Sequence, residues 1–397
     1  MRIGFYIHHT TISAGGIFTY SIGILKQLLK SDQIEKLIII TSKEVNEKLK
    51  EISQHPKVEI ANINRNDPIV KLRLTCYFAL LILLRSFRNI FYRIINRLNP
   101  YSKILVKENL SLFHVPVQYS PIYRTKVPVV ITMHDLQEYH YPEFFSFKEK
   151  LFRKINNKIA LLDSNRIIVS FNHVKNDIIK YFKVTEEKIS VCPPPFADNW
   201  FAQTKETVWS TLSKKYNIKK DCILYPAATW RHKNHLGLLE AMKNLVLEKD
   251  DIHLVCTGKK TEFYKEIQSK ILDYDLSKNV HFLGIVPEEN LIGLYKNASL
   301  VVIPTLYEAG SGPLYEAMRY GIPVICSNVT SLPETIGNED FIFNPNDSDE
   351  ILKKIKLGLF DEEFRKRNIQ NSIEKMDKFR QINFYDNFIE AYNKVLN

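Results

Sequence analysis

The sequence predicts an α/β protein built from two doubly wound, parallel-sheet domains in tandem. Three observations carry that expectation. The chain has 397 residues, about two to three times the usual domain size. Short runs rich in Ile and Val alternate with helix-length patterns, the mark of βαβ units. The alternation stops at VCPPPFADNW and then begins again.

In chain order, the candidate strands of the first half are Arg2 to Ile7, Lys36 to Thr41, Leu112 to Val115, Val129 to Met133, Arg166 to Ser170 and Lys188 to Val191. Their short apolar runs, rich in Ile and Val, fit a parallel sheet. Pro193, Pro194 and Pro195 cannot donate to a ladder or continue a helix, so the first domain is expected over residues 1–195. The second, over 196–375, has candidate strands at Cys222 to Pro226, Ile252 to Thr257, Asn279 to Leu283, Leu300 to Pro304 and Pro323 to Cys326. From about Asp361 the chain reads as two helices with Phe379, Phe384, Phe388 and Tyr392 spaced for an apolar face. The last stretch, 376–397, is expected to pack back on the first domain. Two such domains imply a cleft, with ligands at the C-terminal ends of the strands.

Composition narrows the function. Hydrophobic residues make up 45% and charged residues 25%, which excludes disordered and fibrous classes. The five cysteines are scattered, without CxxC or zinc-ligand spacing, as suits a reducing compartment, and no metal site is expected. The net charge of +11 is uneven: residues 1–200 carry 29 basic and 17 acidic side chains, net +12, and the remainder is net −1. Such asymmetry points to a polyanionic surface facing the first half. The start, MRIGFYIHHT, lacks the features of a secretory signal. Leu74 to Leu84, eleven residues without charge, falls short of the roughly 20 that a spanning helix needs. The surrounding segment 69–98, IVKLRLTCYFALLILLRSFRNIFYRIINRL, mixes apolar side chains with Lys71, Arg73, Arg85, Arg88, Arg93 and Arg97. It reads as a helix or helical pair lying in a membrane interface, with a hairpin buried in the first domain or in a dimer contact as the alternative. The expected location is the cytoplasm, peripheral on the inner face of the cytoplasmic membrane.

The strongest local signal is VVIPTLYEAGSGPLYEAMRYGIPVICS. A buried strand, a glycine-bearing turn and a helix opening at Pro313 aim backbone N–H groups and a positive helix end at one spot, an anion site suited to a diphosphate. Glu308 and Glu316 bracket it. Carboxylates there repel phosphate unless each accepts hydrogen bonds from sugar hydroxyls, which a nucleotide sugar has on both sides of its diphosphate. No G-x-G-x-x-G or Walker pattern is present, which removes support for dinucleotide oxidoreductases and NTPases.

Glu308 and Glu316, eight apart in PTLYEAGSGPLYEAM, resemble the E-x7-E motif of retaining glycosyltransferases of the GT-B fold, family 4 (glycosyl transferases group 1). The resemblance covers nearly the whole chain. It implies a GT-B architecture of two Rossmann-like domains facing a cleft, with Glu308 near the reacting carbon of the sugar and Glu316 on the ribose. The loop departs from the family's commoner EGFGLP by reading EAGSGP, which leaves Gly310, Ser311, Gly312 and Leu314 as donor-binding candidates. In LYPAATWRHKNHLGLLEAM, Lys233 stands where the family has a lysine on the donor diphosphate. The family's arginine position is Ala228 here, and Arg231 is the candidate substitute. The pair His134 and Asp135, closing VVITMHD, is similar to the family's HD pair, which implies a catalytic role beside the sugar for His134 and an acceptor-side place for Asp135. Gly15 and Gly16 resemble the glycine pair of the family's first loop, also acceptor-side.

The resemblance implies a metal-independent retaining hexosyltransferase acting in cell-envelope polysaccharide synthesis, lipopolysaccharide or capsule. It would use a nucleotide diphosphate sugar as donor substrate, no cofactor and no nucleic acid, with a glycan or polyprenyl-diphosphate-linked acceptor. A nucleotide-sugar epimerase of the same fold and a non-enzymatic membrane-surface binding protein are the alternatives.

Overall fold

The computed structural model describes residues 1–7, 16–41, 47–84, 88–195, 206–218 and 222–396. They form two compact units, 1–195 with 383–397, and 196–382.

The first unit holds a sheet of β1 (Arg2–Tyr6), β2 (Lys36–Thr41), β3 (Val58–Asn62), β4 (Leu112–Val115), β5 (Val129–Thr132), β6 (Arg166–Val169) and β7 (Ile189–Val191). Among the described residues the order is β3-β2-β1-β4-β5-β6-β7, all parallel. The second unit holds β8 (Ile223–Pro226), β9 (Leu254–Thr257), β10 (Val280–Gly284), β11 (Leu300–Ile303), β12 (Val324–Ser327) and β13 (Ile342–Phe343), again parallel, in the order β10-β9-β8-β11-β12-β13. Each order reverses direction once, between β1 and β4 and between β8 and β11. Such reversals are the switch points where ligands of open α/β sheets bind, at the C-terminal ends of the strands. Every residue of β4, β5, β6, β9, β11 and β12 is buried, hence their predominantly apolar sequence.

The strands expected from sequence form within a residue or two of their expected bounds. β3 and β13 were not expected. β3 is an edge strand whose VEIAN sequence carries Glu59, paired at 2.8 Å with Lys36 of β2, so it lacks the apolar run that marks its neighbours. β13 has only two residues.

Segment 69–98 folds as two helices, Pro68–Leu83 and Arg88–Leu98. Asp67 caps the first by accepting from the N–H groups of Ile69 and Val70. The Arg73 guanidinium donates to the Leu98 carbonyl at 2.8 Å and the Arg97 carbonyl at 3.1 Å, tying the two helices together at the second one's C-terminal end. Leu74, Tyr77, Leu81 and Ile95 are buried in the first unit's core. The segment therefore contributes one face to the core, and no helix among the described residues is long and apolar enough to cross a membrane.

The boundary expected at 375 falls inside the helix Glu362–Gln381. That helix stays with the second unit because Asn368 acts as a ladder partner: its Oδ1 accepts from the Val324 N–H at 2.8 Å and its Nδ2 donates to the Val324 carbonyl at 2.7 Å. Phe379 accordingly packs edge-on against Tyr315, whereas Phe388 and Tyr392 of the next helix, Phe384–Leu396, join the core of the first unit. Tyr392 reaches a fully buried imidazole there, its hydroxyl 2.7 Å from His114 Nδ1, while Thr132 Oγ1 lies 3.1 Å from Nε2. Burial pushes the His114 pKa down to about 3, so the ring is neutral and needs both neighbours.

Removing the hydroxyl strands a buried ring nitrogen. Tyr392→Phe is expected to lower stability by about 1–3 kcal/mol, read as a reduced midpoint at unchanged slope in denaturant unfolding; an unchanged midpoint would detach the terminal helix from the first unit's stability.

Candidate functional site

Three strand ends of the second unit build one cluster. After β8 the chain makes a short turn, Arg231–Lys233, before the helix His235–Glu248. The Tyr225 hydroxyl donates to the Lys233 carbonyl at 2.7 Å. Asn234, left-handed at φ 56, caps the helix through Oδ1 and donates from Nδ2 to the carbonyls of Pro304 (3.0 Å) and Pro345 (2.8 Å). The His232 carbonyl accepts from the Leu306 N–H at 2.7 Å and from Thr305 Oγ1 at 2.9 Å. These bonds lace the loop after β8 to the loop after β11. Their result is that Lys233 Nζ sits 2.5 Å from Glu308 Oε2, with both side chains mostly shielded.

The loop after β12 fixes Glu308 from the other side. Its carbonyl accepts from Thr330 Oγ1 at 2.7 Å and Ser331 Oγ at 2.9 Å, and its N–H faces Thr330 Oγ1 at 3.1 Å. Thr330 holds a φ of 51, rare for a β-branched residue, and these hydrogen bonds offset that strain. Gly258, after β9, has a φ of 118, and a Cβ there would lie 2.7 Å from the Ala227 carbonyl. Only glycine lets the loops after β8 and β9 approach so closely.

The helix Gly312–Arg319 opens at the same place, with Ser311 Oγ accepting from the Leu314 N–H at 3.3 Å. Leu314 thus directs its N–H to the cap, and its side chain is buried. Pro313 has no N–H. The N–H groups of Gly310, Ser311 and Gly312 have no protein acceptor among the described residues, and they stand at a positive helix end. One turn on, Glu316 accepts from the Tyr295 hydroxyl at 2.6 Å. Crowding by protein raises the Glu316 pKa to about 7, against which the Tyr295 bond and Arg319 act more weakly.

Arg231 does not join this cluster. Its guanidinium pairs with Glu266 at 2.5 Å and lies over the Phe263 ring at 4.8 Å, on an exposed surface of the helix Tyr264–Asp273. Nothing in this placement makes it a substitute for the arginine that Ala228 lacks.

In the first unit, His134 and Asp135 follow β5. His134 Nε2 lies 3.0 Å from the Pro116 carbonyl, a group that only accepts, so the proton is on Nε2 and Nδ1 keeps its lone pair. The ring stands edge-on to Tyr20 at 5.0 Å, and burial lowers its pKa. It is a neutral acceptor. The Asp135 carboxylate is engaged within the protein, accepting from Arg153 at 2.6 Å while the same guanidinium holds Glu138 at 2.8 Å. This pairing fixes the orientation of the Asp135 carboxylate. Gly16 is the exposed first residue of the helix Gly16–Leu28, and Gly15 lies outside the described residues. Among the described residues no group of three or more His, Cys, Asp or Glu side chains could hold a metal ion.

Sequence reasoning missed Tyr295, Thr305, Thr330, Ser331 and Asn234. Only Asn234 had a readable signal, an Asn directly ahead of an amphipathic helix.

Two family models match the chain, Glycosyl transferases group 1 over residues 210–375 and Glycosyltransferase Family 4 over residues 65–199. The chain belongs to the GT-B glycosyltransferases. It is 26% identical over 401 residues to the O-antigen chain mannosyltransferase B of Escherichia coli, covering 99% of each chain. With the O-antigen chain mannosyltransferase RfbU of Salmonella typhimurium it shares 29% identity over 217 residues, 55% of this chain and 57% of the relative. The fold matches that of WaaG, a glycosyltransferase involved in lipopolysaccharide biosynthesis (TM-score 0.67, 14% identity, 98% of each chain). It also matches Anabaena HepE in complex with UDP-glucose (TM-score 0.66, 17% identity, 96% of this chain and 95% of that one).

Because Arg231 points to Glu266, Arg231→Ala in this glycosyltransferase is expected to change nucleotide affinity by less than about threefold, under 1 kcal/mol, as for an exposed ion pair. A loss above tenfold in calorimetric titration would put Arg231 back at the donor.

Proposed function

We propose that this glycosyltransferase moves a hexose, mannose by the likeness to the O-antigen mannosyltransferases, from a nucleotide diphosphate sugar to a glycan or lipid-linked acceptor in lipopolysaccharide synthesis, with retention at the anomeric carbon. The observation that carries the reading is the Lys233–Glu308 pair beside the N–H groups of Gly310, Ser311 and Gly312.

A donor diphosphate fits against those N–H groups, where the helix end favours negative charge. Lys233 then leaves Glu308 for a phosphate oxygen, and Glu308, released, accepts from a hydroxyl of the hexose. Glu316 accepts from ribose hydroxyls. As the bond from the anomeric carbon to the diphosphate oxygen breaks, charge grows on the diphosphate, and Lys233 with the N–H groups stabilises it more than it stabilises the ground state. The acceptor hydroxyl attacks from the same face and gives its proton to the departing diphosphate, which preserves the configuration without a separate base. His134, neutral with a lone pair on Nδ1, accepts from a hydroxyl of the sugar or the acceptor. Lys233 and the N–H groups supply the positive charge of this route, which needs no resident metal or cofactor.

The test is thermal-shift titration with UDP, GDP and dTDP and their sugars, since a ligand of the folded state raises its melting point. One nucleotide is expected to stabilise the wild type. Lys233→Ala should lower kcat by about 10²- to 10³-fold, as for loss of a charge-stabilising donor. Glu316→Ala should weaken the nucleotide about tenfold or more, on the scale of a lost hydrogen bond to a charged group. Wild-type turnover in the first and wild-type affinity in the second would refute the assignment.

Glu316 also sets a pH dependence. Its folded pKa of about 7 lies above the ordinary 4.5, so below pH 7 much of it is protonated and cannot accept from both ribose hydroxyls. Ligand binding favours the ionised form. Affinity for an intact nucleotide sugar, whose diphosphate does not titrate here, is expected to rise by up to about tenfold per unit as pH climbs towards 7 and to level off above it. Glu316→Gln should flatten that slope; a slope unchanged in Glu316→Gln would assign it to another group.

A further inference from the structure

Glu316 meets protein with one oxygen only. Its Oε2 accepts from the Tyr295 hydroxyl at 2.6 Å. Its Oε1 has no hydrogen-bond partner among the described residues and is not shut inside the second unit, and the residue as a whole is half-buried. The carboxylate is therefore held at one end and presented at the other. A glutamate on a helix surface has several rotamers open to it, and a ligand that needs one of them must supply the ordering free energy unless the protein has already done so.

Tyr295 is itself firmly placed. It is fully buried on the helix Glu288–Asn297, with its ring 5.6 Å from that of Tyr320. Burial, with the Glu316 carboxylate beside it, pushes its ionisation well above the ordinary value of 10, so the hydroxyl keeps its proton and serves as a donor throughout the neutral range. The helix that carries it is clamped by the segment ahead of β8. Thr207 Oγ1 donates to Asn290 Oδ1 at 2.7 Å, Asn290 Nδ2 donates to the Tyr216 hydroxyl at 2.7 Å, and Lys296 pairs with Glu206. At Gly293 a Cβ would run into the Thr207 carbonyl, so glycine there lets the two segments close on each other.

We propose that Tyr295 is a positioning residue for the donor, its hydroxyl anchoring Oε2 of Glu316 so that Oε1 meets the ribose in a single orientation. The inference rests on the reading of Glu316 as the ribose contact. The same bond favours the ionised form of Glu316, because a hydroxyl donates more strongly to a carboxylate than to a neutral carboxyl. The other charged and titratable groups around Glu316 are Glu288 on the Tyr295 helix and Arg319 on its own helix, with Tyr320 beside them and the Glu206–Lys296 pair beyond. All of these remain when Tyr295 is changed, so a displaced pH profile is the mark of the lost hydroxyl.

The test is a double-mutant cycle on the full chain: wild type, Tyr295→Phe, Glu316→Ala and the double variant, each titrated calorimetrically with intact UDP-, GDP- and dTDP-sugars across the neutral pH range. Tyr295→Phe is expected to weaken binding by about five- to tenfold near neutral pH, on the scale of a lost hydrogen bond to a charged group. The rise of its affinity with pH should move upward by about half a unit or more, since the ionised form of Glu316 has lost a donor. In the Glu316→Ala background the same change should alter affinity by less than about twofold, because nothing is left to position. Melting temperatures of the four proteins separate lost folding from lost binding, and Tyr295→Met, which also lacks the donor, replaces Tyr295→Phe if that variant does not fold. Two results overturn the inference and leave the ribose contact standing. One is wild-type affinity and pH profile in Tyr295→Phe while Glu316→Ala binds poorly; the other is an equal loss from Tyr295→Phe in both backgrounds, which would make Tyr295 purely structural. Wild-type affinity in Glu316→Ala, or no binding of any of these sugars to the wild type, removes the ribose contact itself and the inference with it.

Discussion

The His232 carbonyl is the point on which the candidate site depends. It receives a backbone N–H from Leu306 and the hydroxyl of Thr305, and so binds the turn after β8 to the turn after β11 where the second sheet reverses direction. Strand order alone brings those loops side by side, but side by side is not enough to hold a lysine within hydrogen-bonding distance of a carboxylate. Asn234 adds two bonds, to the carbonyls of Pro304 and Pro345. The site is thus positioned by main-chain carbonyls and short polar side chains rather than by the charged groups that would do the chemistry, which leaves those charged groups able to change partners.

The parts of the molecule legible in the sequence are those where one physical rule dominates. Strands buried on both faces are mostly apolar, and they read plainly from Val129 to Ile131 or Leu300 to Ile303, whereas the buried His114 of β4 is tolerated because Tyr392 and Thr132 meet its two ring nitrogens. β3 was illegible because an edge strand needs no such run, and Glu59 on it satisfies Lys36 instead. The glutamates and Lys233 were legible through spacing and resemblance, and the structure gathers Lys233 and Glu308 into one contact. Arg231 was not, since a cation two residues from Lys233 has no sequence mark saying that Glu266 and Phe263 claim it. Leu314 likewise lost its N–H to Ser311, an outcome decided by which residue takes the capping position. Asn368 explains the misplaced boundary after residue 375: a single side chain hydrogen-bonded to both polar groups of Val324 keeps a helix on the second unit past the point where composition changes.

The charge asymmetry of the chain finds its structural expression in the hairpin. A helix whose sequence is apolar on both sides is ambiguous from sequence, and the structure buries Leu74, Tyr77 and Leu81 on one side and leaves Ile69, Leu72 and Leu83 exposed on the other. Tyr77 and its neighbours secure the hairpin to the core, and Arg73 fastens its two helices to each other.

The pairing of Lys233 with Glu308 resolves a tension in any diphosphate site. Three N–H groups at a helix end beside an unpaired lysine would hold phosphate tightly, including the nucleoside diphosphate that remains after transfer, and slow product release would limit turnover. Glu308 competes for the ammonium. In the proposed mechanism a donor brings both a diphosphate for Lys233 and a sugar hydroxyl for Glu308, so it compensates both members of the pair when it separates them; the product diphosphate compensates only the lysine and leaves a shielded carboxylate without a partner. Uncompensated charge in a partly desolvated site costs more than the contact it gives up, so the ion pair re-forms and the product is displaced. On this argument Glu308 acts twice, once by holding the sugar and once by reclaiming Lys233 after the sugar has gone.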